Sequence, residues 1–279
     1  MTQDPIPPGT GLFETAVLKL FYSRAARHLF TNVWYSLLSN LDRDAAVTFL
    51  NYGYAFANGV QIPLQAEDEP NRYPIQLYHR VLSGTAIEGR QVLEVGSGRG
   101  GGASYVARYF RPRTFIGVDI CKAAIRFSTA CYADQDNLEF RVADACNLPF
   151  ANDSFDVVLN VESAQHYGDI GRFLEEVYRV LRPGGDFLMA CFEDVQKNVL
   201  PREFLRQARL RLIREDEITA NVARALELDS SRRQALAIAI APQPLLRLSN
   251  EFAGIPGTKL YASFASGECP YFCFACRKE

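Results

Sequence analysis

The 279-residue chain is short of several things, and each shortage closes off a class of function. Charge of one sign is missing: 30 Lys and Arg stand against 32 Asp and Glu, a formal net charge of −2. No basic field therefore points to nucleic acid as a partner. No uninterrupted apolar run reaches the roughly 20 residues that a membrane-spanning helix needs. The first residues, Met1-Thr2-Gln3-Asp4-Pro5, lack a basic stretch followed by an apolar one, so no secretory leader is expected. Histidine is scarce, with His28, His79 and His166 the full set. No carboxylate or histidine cluster argues for a metal. The seven cysteines (Cys121, Cys131, Cys146, Cys191, Cys269, Cys273, Cys276) are an odd, scattered set. They read as reduced thiols of a soluble cytoplasmic protein rather than a disulfide framework.

Three of those cysteines need separate weighing. Cys269, Cys273 and Cys276 spell C-x-x-x-C-x-x-C, a spacing found among iron–sulfur ligands. On a strand, Cys269 and Cys273 share one face and Cys276 takes the other, so the three cannot converge on a cluster. Buried small side chains are the reading that follows.

What the chain does have is apolar content, 48% of its residues, enough for a sizeable core. It also has one stretch around which the rest is organised, residues 91–107. Val92, Leu93 and Val95 form an apolar run carrying Glu94, a glycine-rich turn follows, and small residues then resume as a helix start. Glycine lets the backbone approach a ligand with no Cβ in the way. The pattern has two possible owners. Gly96, Gly98 and Gly101 satisfy the dinucleotide fingerprint G-x-G-x-x-G. Gly96, Gly98 and Gly100, preceded by Glu94, equally fit the acidic-x-G-x-G-x-G turn of S-adenosylmethionine (SAM) binding proteins.

The flanking sequence supplies context. Residues 1–10 are proline-rich. Over residues 11–40, apolar positions including Leu12, Phe13, Val17, Leu20, Phe21, Leu29, Phe30 and Trp34 recur at mostly helical spacing. They predict helices packing on the main domain, or a lid over a greasy substrate or membrane surface. Residues 73–82 predict a helix, with Pro74 in the first turn where no amide donor is needed. Strands follow at 114–120, 138–142, 155–161 and 186–191, separated by helices at 123–132 and 171–181. The nearly all-apolar 155–161 belongs at the centre of a parallel sheet. From residue 195 to 249 two charged helical stretches are expected, their arginines on a solvated face with partners such as Glu217 near Arg214. Residues 259–264 and 271–277 read as two last strands forming a terminal hairpin, which makes one strand antiparallel.

The expected architecture is thus α/β, a doubly wound, Rossmann-like, seven-stranded sheet with an antiparallel terminal hairpin, plus a helical N-terminal segment and a helical lid insertion. Its parts are a helical cap (1–66), the nucleotide-binding core (67–194), the lid insertion (195–249) and terminal strands completing the sheet (250–279).

Four features stand in register: Glu94 before the glycines, Asp119 after the second strand, Asp144 with Ala145 after the third, and Arg182-Pro183-Gly184-Gly185 before the fifth. Over residues 91–191, with the strands at the end, the chain resembles the class I SAM-dependent methyltransferases. Further blocks carry the likeness outward: Asp68-Glu69-Pro70-Asn71-Arg72, Gln76-Leu77-Tyr78-His79-Arg80, Gly100-Gly101-Gly102-Ala103-Ser104-Tyr105, Val158-Leu159-Asn160-Val161-Glu162 and Glu251-Phe252-Ala253-Gly254. These are similar to the polyketide O-methyltransferases of the phthiotriol/phenolphthiotriol dimycocerosate type. The resemblance implies SAM as cofactor, S-adenosylhomocysteine (SAH) as product, and a hydrophobic acceptor such as a polyketide or lipid hydroxyl.

It also implies roles for residues. Gly96, Gly98 and Gly100 would lie by the methionine moiety, Asp119 and Ile120 by the ribose, and Asp144 with Ala145 by the adenine. Asn160 and Tyr78 would add contacts, Tyr78 over the methionine end or simply packed on a core helix. Glu94 would orient the loop or meet the ligand's ammonium. Since the sulfonium already activates the methyl, the protein mainly has to align the reactants and exclude water. The base is sought in Glu162-Ser163-Ala164-Gln165-His166-Tyr167, just past the fourth strand. Many small-molecule methyltransferases show E-x-x-x-H there, matched by Glu162 and His166, and an imidazole can take a hydroxyl proton near neutral pH. The phthiotriol-type pattern instead has histidine one residue earlier, where this chain carries Gln165. The surplus glycines Gly101 and Gly102 are expected to let the helix start pack close to the sheet.

Overall fold

The computed structural model describes residue 42 and residues 47–193, 201–241 and 243–279. The helices expected over residues 11–40 lie outside the described residues. The strands are β1 (Gln91–Val95), β2 (Thr114–Asp119), β3 (Leu138–Val142), β4 (Phe155–Val161), β5 (Leu181–Phe192), β6 (Arg211–Glu217) and β7 (Tyr271–Arg277). The helices are α1 (Arg72–Leu82), α2 (Gly101–Phe110), α3 (Lys122–Cys131), α4 (Ile170–Val180), α5 (Pro201–Gln207), α6 (Thr219–Leu228), α7 (Ser230–Ile240), α8 (Leu246–Phe252) and α9 (Lys259–Ala265).

The strands form one sheet in the order β3-β2-β1-β4-β5-β7-β6. The first five run parallel, while β7 is antiparallel to both β5 and β6. Both faces are covered, and side-chain alternation sorts each strand between two cores. Val92 of β1 and Val157 and Leu159 of β4 join α1 and α2 through Ile75, Leu77, Val81 and Val106. Leu93 and Val95 of β1 and Val158 of β4 join α4 through Phe173, Leu174 and Val177.

Helix α4 illustrates the local logic. Asp169 caps it by accepting from the Arg172 amide at 2.8 Å, and Phe173, Leu174, Val177 and Val180 recur on one stripe that is buried. Each such side chain contributes about 1.5–3 kcal/mol on burial. A charge at Val177, which is fully buried, would break the stripe.

The sheet ends differently from the sequence reading. Residues 259–265 are helix α9, not a strand: Thr258 caps it, accepting from the Tyr261 amide at 3.3 Å, and Phe264 is its buried residue. The partner of β7 is β6, from a stretch expected to be a charged helix. There Arg214 pairs along the strand with Asp216 at 2.9 Å rather than one helical turn on. Charge along an outermost strand discourages pairing with another chain, which is why the pattern does not look like a strand. Helices α6 to α9 intervene between β6 and β7, so the antiparallel pair is not a contiguous hairpin.

In β7, Cys273 and Cys276 point into opposite cores, with Cys269 on the side of Cys273. Among the described residues there is no group of three His, Cys, Asp or Glu placed to hold a metal ion, and no helix long and apolar enough to cross a membrane.

Candidate active site

Strand order reverses between β1 and β4, since the chain builds outward through β2 and β3 before returning beside β1. Such a reversal opens a crevice at the carboxyl ends of the strands. A cavity of about 460 Å³ lies there.

Its floor is the glycine turn. The amides of Gly96 and Ser97 both donate to the Val118 carbonyl, at 2.8 and 3.0 Å, and the Gly98 amide donates to Asp119 Oδ2 at 2.9 Å. Gly100 enters α2 in the left-handed region at φ 80°, where a side chain would be strained. A Cβ on Gly96 would stand 2.0 Å from Ser163 Oγ, so only glycine lets the turn lie against the β4 loop.

The two extra glycines do something other than bring the helix to the sheet. A Cβ on Gly101 would meet the Thr48 carbonyl at 2.6 Å, and one on Gly102 would meet the Tyr78 ring at 1.8 Å. They admit the segment before α1 and α1 itself.

Asp119 accepts from the Gly98 amide on one oxygen and from the Cys121 amide on the other, at 2.8 Å. Burial raises its carboxyl above the ordinary value, and these backbone donors oppose the rise. Asp144 accepts from the Cys146 amide at 2.9 Å. Ile120, Asp144 and Ala145 line the same cavity.

Glu94, Gly100, Asn160 and Gln165 do not line it, Gly100 lying instead against Phe140 and Ser128. Glu94 is fully buried behind Tyr78, whose hydroxyl donates to Glu94 Oε1 at 2.6 Å, and Oε2 has no hydrogen-bond partner. Burial, opposed by the Tyr78 hydrogen bond and reinforced by the Asp119 charge, pushes this carboxyl up to about 8. Asn160 is a brace beneath the loops: its Nδ2 donates to the Val95 carbonyl (2.9 Å), Ser163 Oγ (2.8 Å) and the Tyr167 hydroxyl (3.1 Å). Gln165 is buried, and its Nε2 donates to the Glu162 carbonyl at 2.7 Å. Tyr78 does reach the cavity wall.

His166 lines the cavity at the end of a short 3-10 turn (Ala164–His166), its amide bonded to the Ser163 carbonyl at 2.9 Å. Glu162, four residues earlier, also lines it and has the left-handed φ of 54°. That conformation costs of order 1–3 kcal/mol in a non-glycine residue, so its surroundings must hold it. They do: Glu162 Oε1 accepts from the Tyr52 amide and the Tyr271 hydroxyl, each at 2.8 Å. Burial pushes the Glu162 carboxyl up to about 7, against these donors and the nearby Arg233 charge.

The remaining wall escaped the sequence reading. Residues 48–51 line the cavity, fastened by the Thr48 carbonyl to the Gly101 amide (3.2 Å) and by the Asn51 carbonyl to Arg233 Nη2 (2.8 Å). Arg233 sits on α7 and is buried, with Nε on Asp229 and Nη1 on the Ala253 carbonyl. One of many arginines, it carries no signal in the sequence. The tyrosines and asparagines beside Gly53 were the available hint for the wall.

A glycine turn along the cavity floor, with Asp119 and Asp144 along the cavity beyond it, fits an elongated ligand bearing an amino acid at one end and a nucleoside at the other. The doubly wound sheet with its antiparallel last strand and this cleft define the class I SAM-dependent methyltransferase architecture.

Comparison with known proteins agrees. Residues 93–189 match the family model described as "Methyltransferase domain". The chain is 36% identical to the phthiotriol/phenolphthiotriol dimycocerosates methyltransferase of Mycobacterium leprae over 88% of its own length and 91% of that protein. It is 38% identical to the fatty-acid O-methyltransferase of Mycolicibacterium smegmatis, covering 92% of this chain and 88% of the other. Among solved structures, the cyclase SpnF superposes with a TM-score of 0.68 at 18% identity, over 90% of this chain and 96% of that one, a likeness of fold alone. The chain belongs to the class I SAM-dependent methyltransferases, and SAM is its cofactor.

Proposed function

We propose that this enzyme transfers a methyl group to a hydroxyl oxygen of a hydrophobic, lipid-like or polyketide acceptor, with His166 taking the hydroxyl proton. The observation that carries this reading is the position of His166, on the cavity wall just past β4 and in the same cavity as the apolar residues Phe49 and Leu50. Bound SAM supplies a methyl already activated by its sulfonium.

The chain's own work is to hold and to deprotonate. The glycine turn and Asp119 hold the donor, with Ile120, Asp144 and Ala145 at the far end. Residues 48–51 cover the cavity and keep water from the reacting oxygen. An imidazole accepts and returns a proton near neutral pH, which suits a hydroxyl that must lose its proton as it attacks. The names of the mycobacterial relatives support a lipid acceptor. A carboxyl acceptor is the second reading, favoured by the fatty-acid O-methyltransferase relative.

The test is incubation with SAM carrying a labelled methyl group and a panel of long-chain alcohols, phenolic polyketides and fatty acids. Labelled ether or ester with matching SAH release is expected. SAH formation that persists when every acceptor oxygen is blocked would point to nitrogen or carbon instead. SAM binding with no SAH from any acceptor would support a protein that does not methylate.

A further inference from the structure

A second cavity, about 80 Å³, lies outside the donor cleft, and Phe49 and Leu50 line both. Its other apolar walls include Leu236, Ala237 and Ile240 of α7 and Phe252 of α8. Two arginines also border it, and every guanidinium nitrogen of both has a protein partner. Arg232 places Nε and Nη2 on Asp229 and Nη1 on Asn71 Oδ1. Arg233 spends its nitrogens on Asp229, the Ala253 carbonyl and the Asn51 carbonyl. The space thus offers aliphatic contact, and among the described residues both bordering guanidinium groups are already bonded to protein.

The Phe49 ring lies edge-on to Tyr78, 6.2 Å between centroids, and fills the place of a Gly101 Cβ. Leu50 faces the donor turn: a Cβ on Gly98 would stand 3.4 Å from its Cδ1. Both residues are half-buried, with apolar surface still to cover.

We infer that this second cavity is a subsite for the alkyl chain of the methyl acceptor, which passes Leu50 and lies between α7 and α8 while its oxygen stays in the donor cleft by His166. The inference rests on the apolar-acceptor reading above and adds where the chain goes and what limits its length. Buried methylenes each favour binding, so affinity should climb with chain length until the subsite is full.

The test uses the full chain loaded with SAH, titrated with hexanoate, octanoate and decanoate and with the matching primary alcohols. In the wild type, affinity rises at least about tenfold from the shortest to the longest chain. Leu236→Trp and Ala237→Phe fill the space and flatten that rise, while SAH affinity shows that the donor cleft is intact. Leu236→Ala and Ile240→Ala, which only remove apolar atoms, weaken the longest chain several-fold and the shortest little. Chain-length dependence that survives in the filled variants, or that is absent in the wild type, would overturn the subsite. If chains bind with this dependence but labelled SAM transfers no methyl to them, the subsite stands and the methyl-transfer reading is the one that fails.

Discussion

The Tyr78 hydroxyl donates to Glu94 Oε1 at 2.6 Å, and the same ring occupies the space that Gly102 leaves open on α2. A residue of α1 is thereby locked to a carboxyl of β1 across the start of the helix that follows the donor turn.

Gly102→Ala tests that lock because two effects oppose each other. Helix propensity alone favours alanine by about 1 kcal/mol. The new Cβ, however, would stand 1.8 Å from Tyr78 Cζ, so Tyr78 must move and release Glu94. Overpacking of this kind costs about 1–3 kcal/mol. Lower stability in urea unfolding and weaker SAH binding by calorimetry are expected. A more stable variant would show that the ring does not occupy that space.

Glu94 makes stability depend on pH. Its carboxyl is pushed up to about 8 from an ordinary 4.5, so the folded ligand-free protein retains a proton that the unfolded chain releases. A raised folded value stabilises fully below the ordinary one, and the contribution is lost as pH rises through about 8. Glu162, pushed up to about 7, acts in the same direction. Glu94→Gln fixes the neutral form. Its unfolding free energy should fall less than the wild type's between pH 5 and pH 8, by more than about 1 kcal/mol. Parallel curves for the two proteins would show that Glu94 ionises normally.

His166 and Gln165 separate base from neighbour. His166→Ala should lower kcat by about 10²–10⁴ with SAH affinity unchanged, the loss expected when a general base is removed. Gln165→His in that background places an imidazole where the phthiotriol-type pattern has one. No rescue is expected, because Gln165 does not line the cavity and donates instead to the Glu162 carbonyl. Restored turnover in the double variant would move the base to position 165.

The core of this fold was legible because strands buried on both sheet faces read as near-continuous apolar runs and the covering helices as apolar stripes at helical spacing. It was misleading where charge hides a strand, as in Arg211–Glu217, or where a short capped helix carries strand-forming aromatics, as in Lys259–Ala265. The site divides similarly. Gly96, Asp119, Asp144 and His166 announce themselves by position after a strand, and all line the cavity. Glu94 and Asn160 follow the same rule yet face inward, since strand position does not say which of two buried faces a side chain takes. Arg233 comes from a segment with no local signal, and Leu50 from one whose only hint lies in its neighbours, so tertiary packing places both.

Arg233 gives the last expectation, since it ties α7 to the cavity wall. It is buried and carries the Asn51 and Ala253 carbonyls and Asp229. Arg233→Met removes three partners at once, although Arg232 still holds Asp229 at 2.6 Å. A loss of about 2–4 kcal/mol is expected. Arg233 also opposes the rise of the Glu162 carboxyl, so removing its charge should move that titration above its present value of about 7. Carbon-13 NMR of the labelled carboxyl reads this directly. Arg233→Lys keeps the charge but not the planar fork, so stability should fall while the Glu162 titration holds nearly still. Equal titration in all three proteins would mean that Arg233 braces the wall without sensing the charge at the cavity.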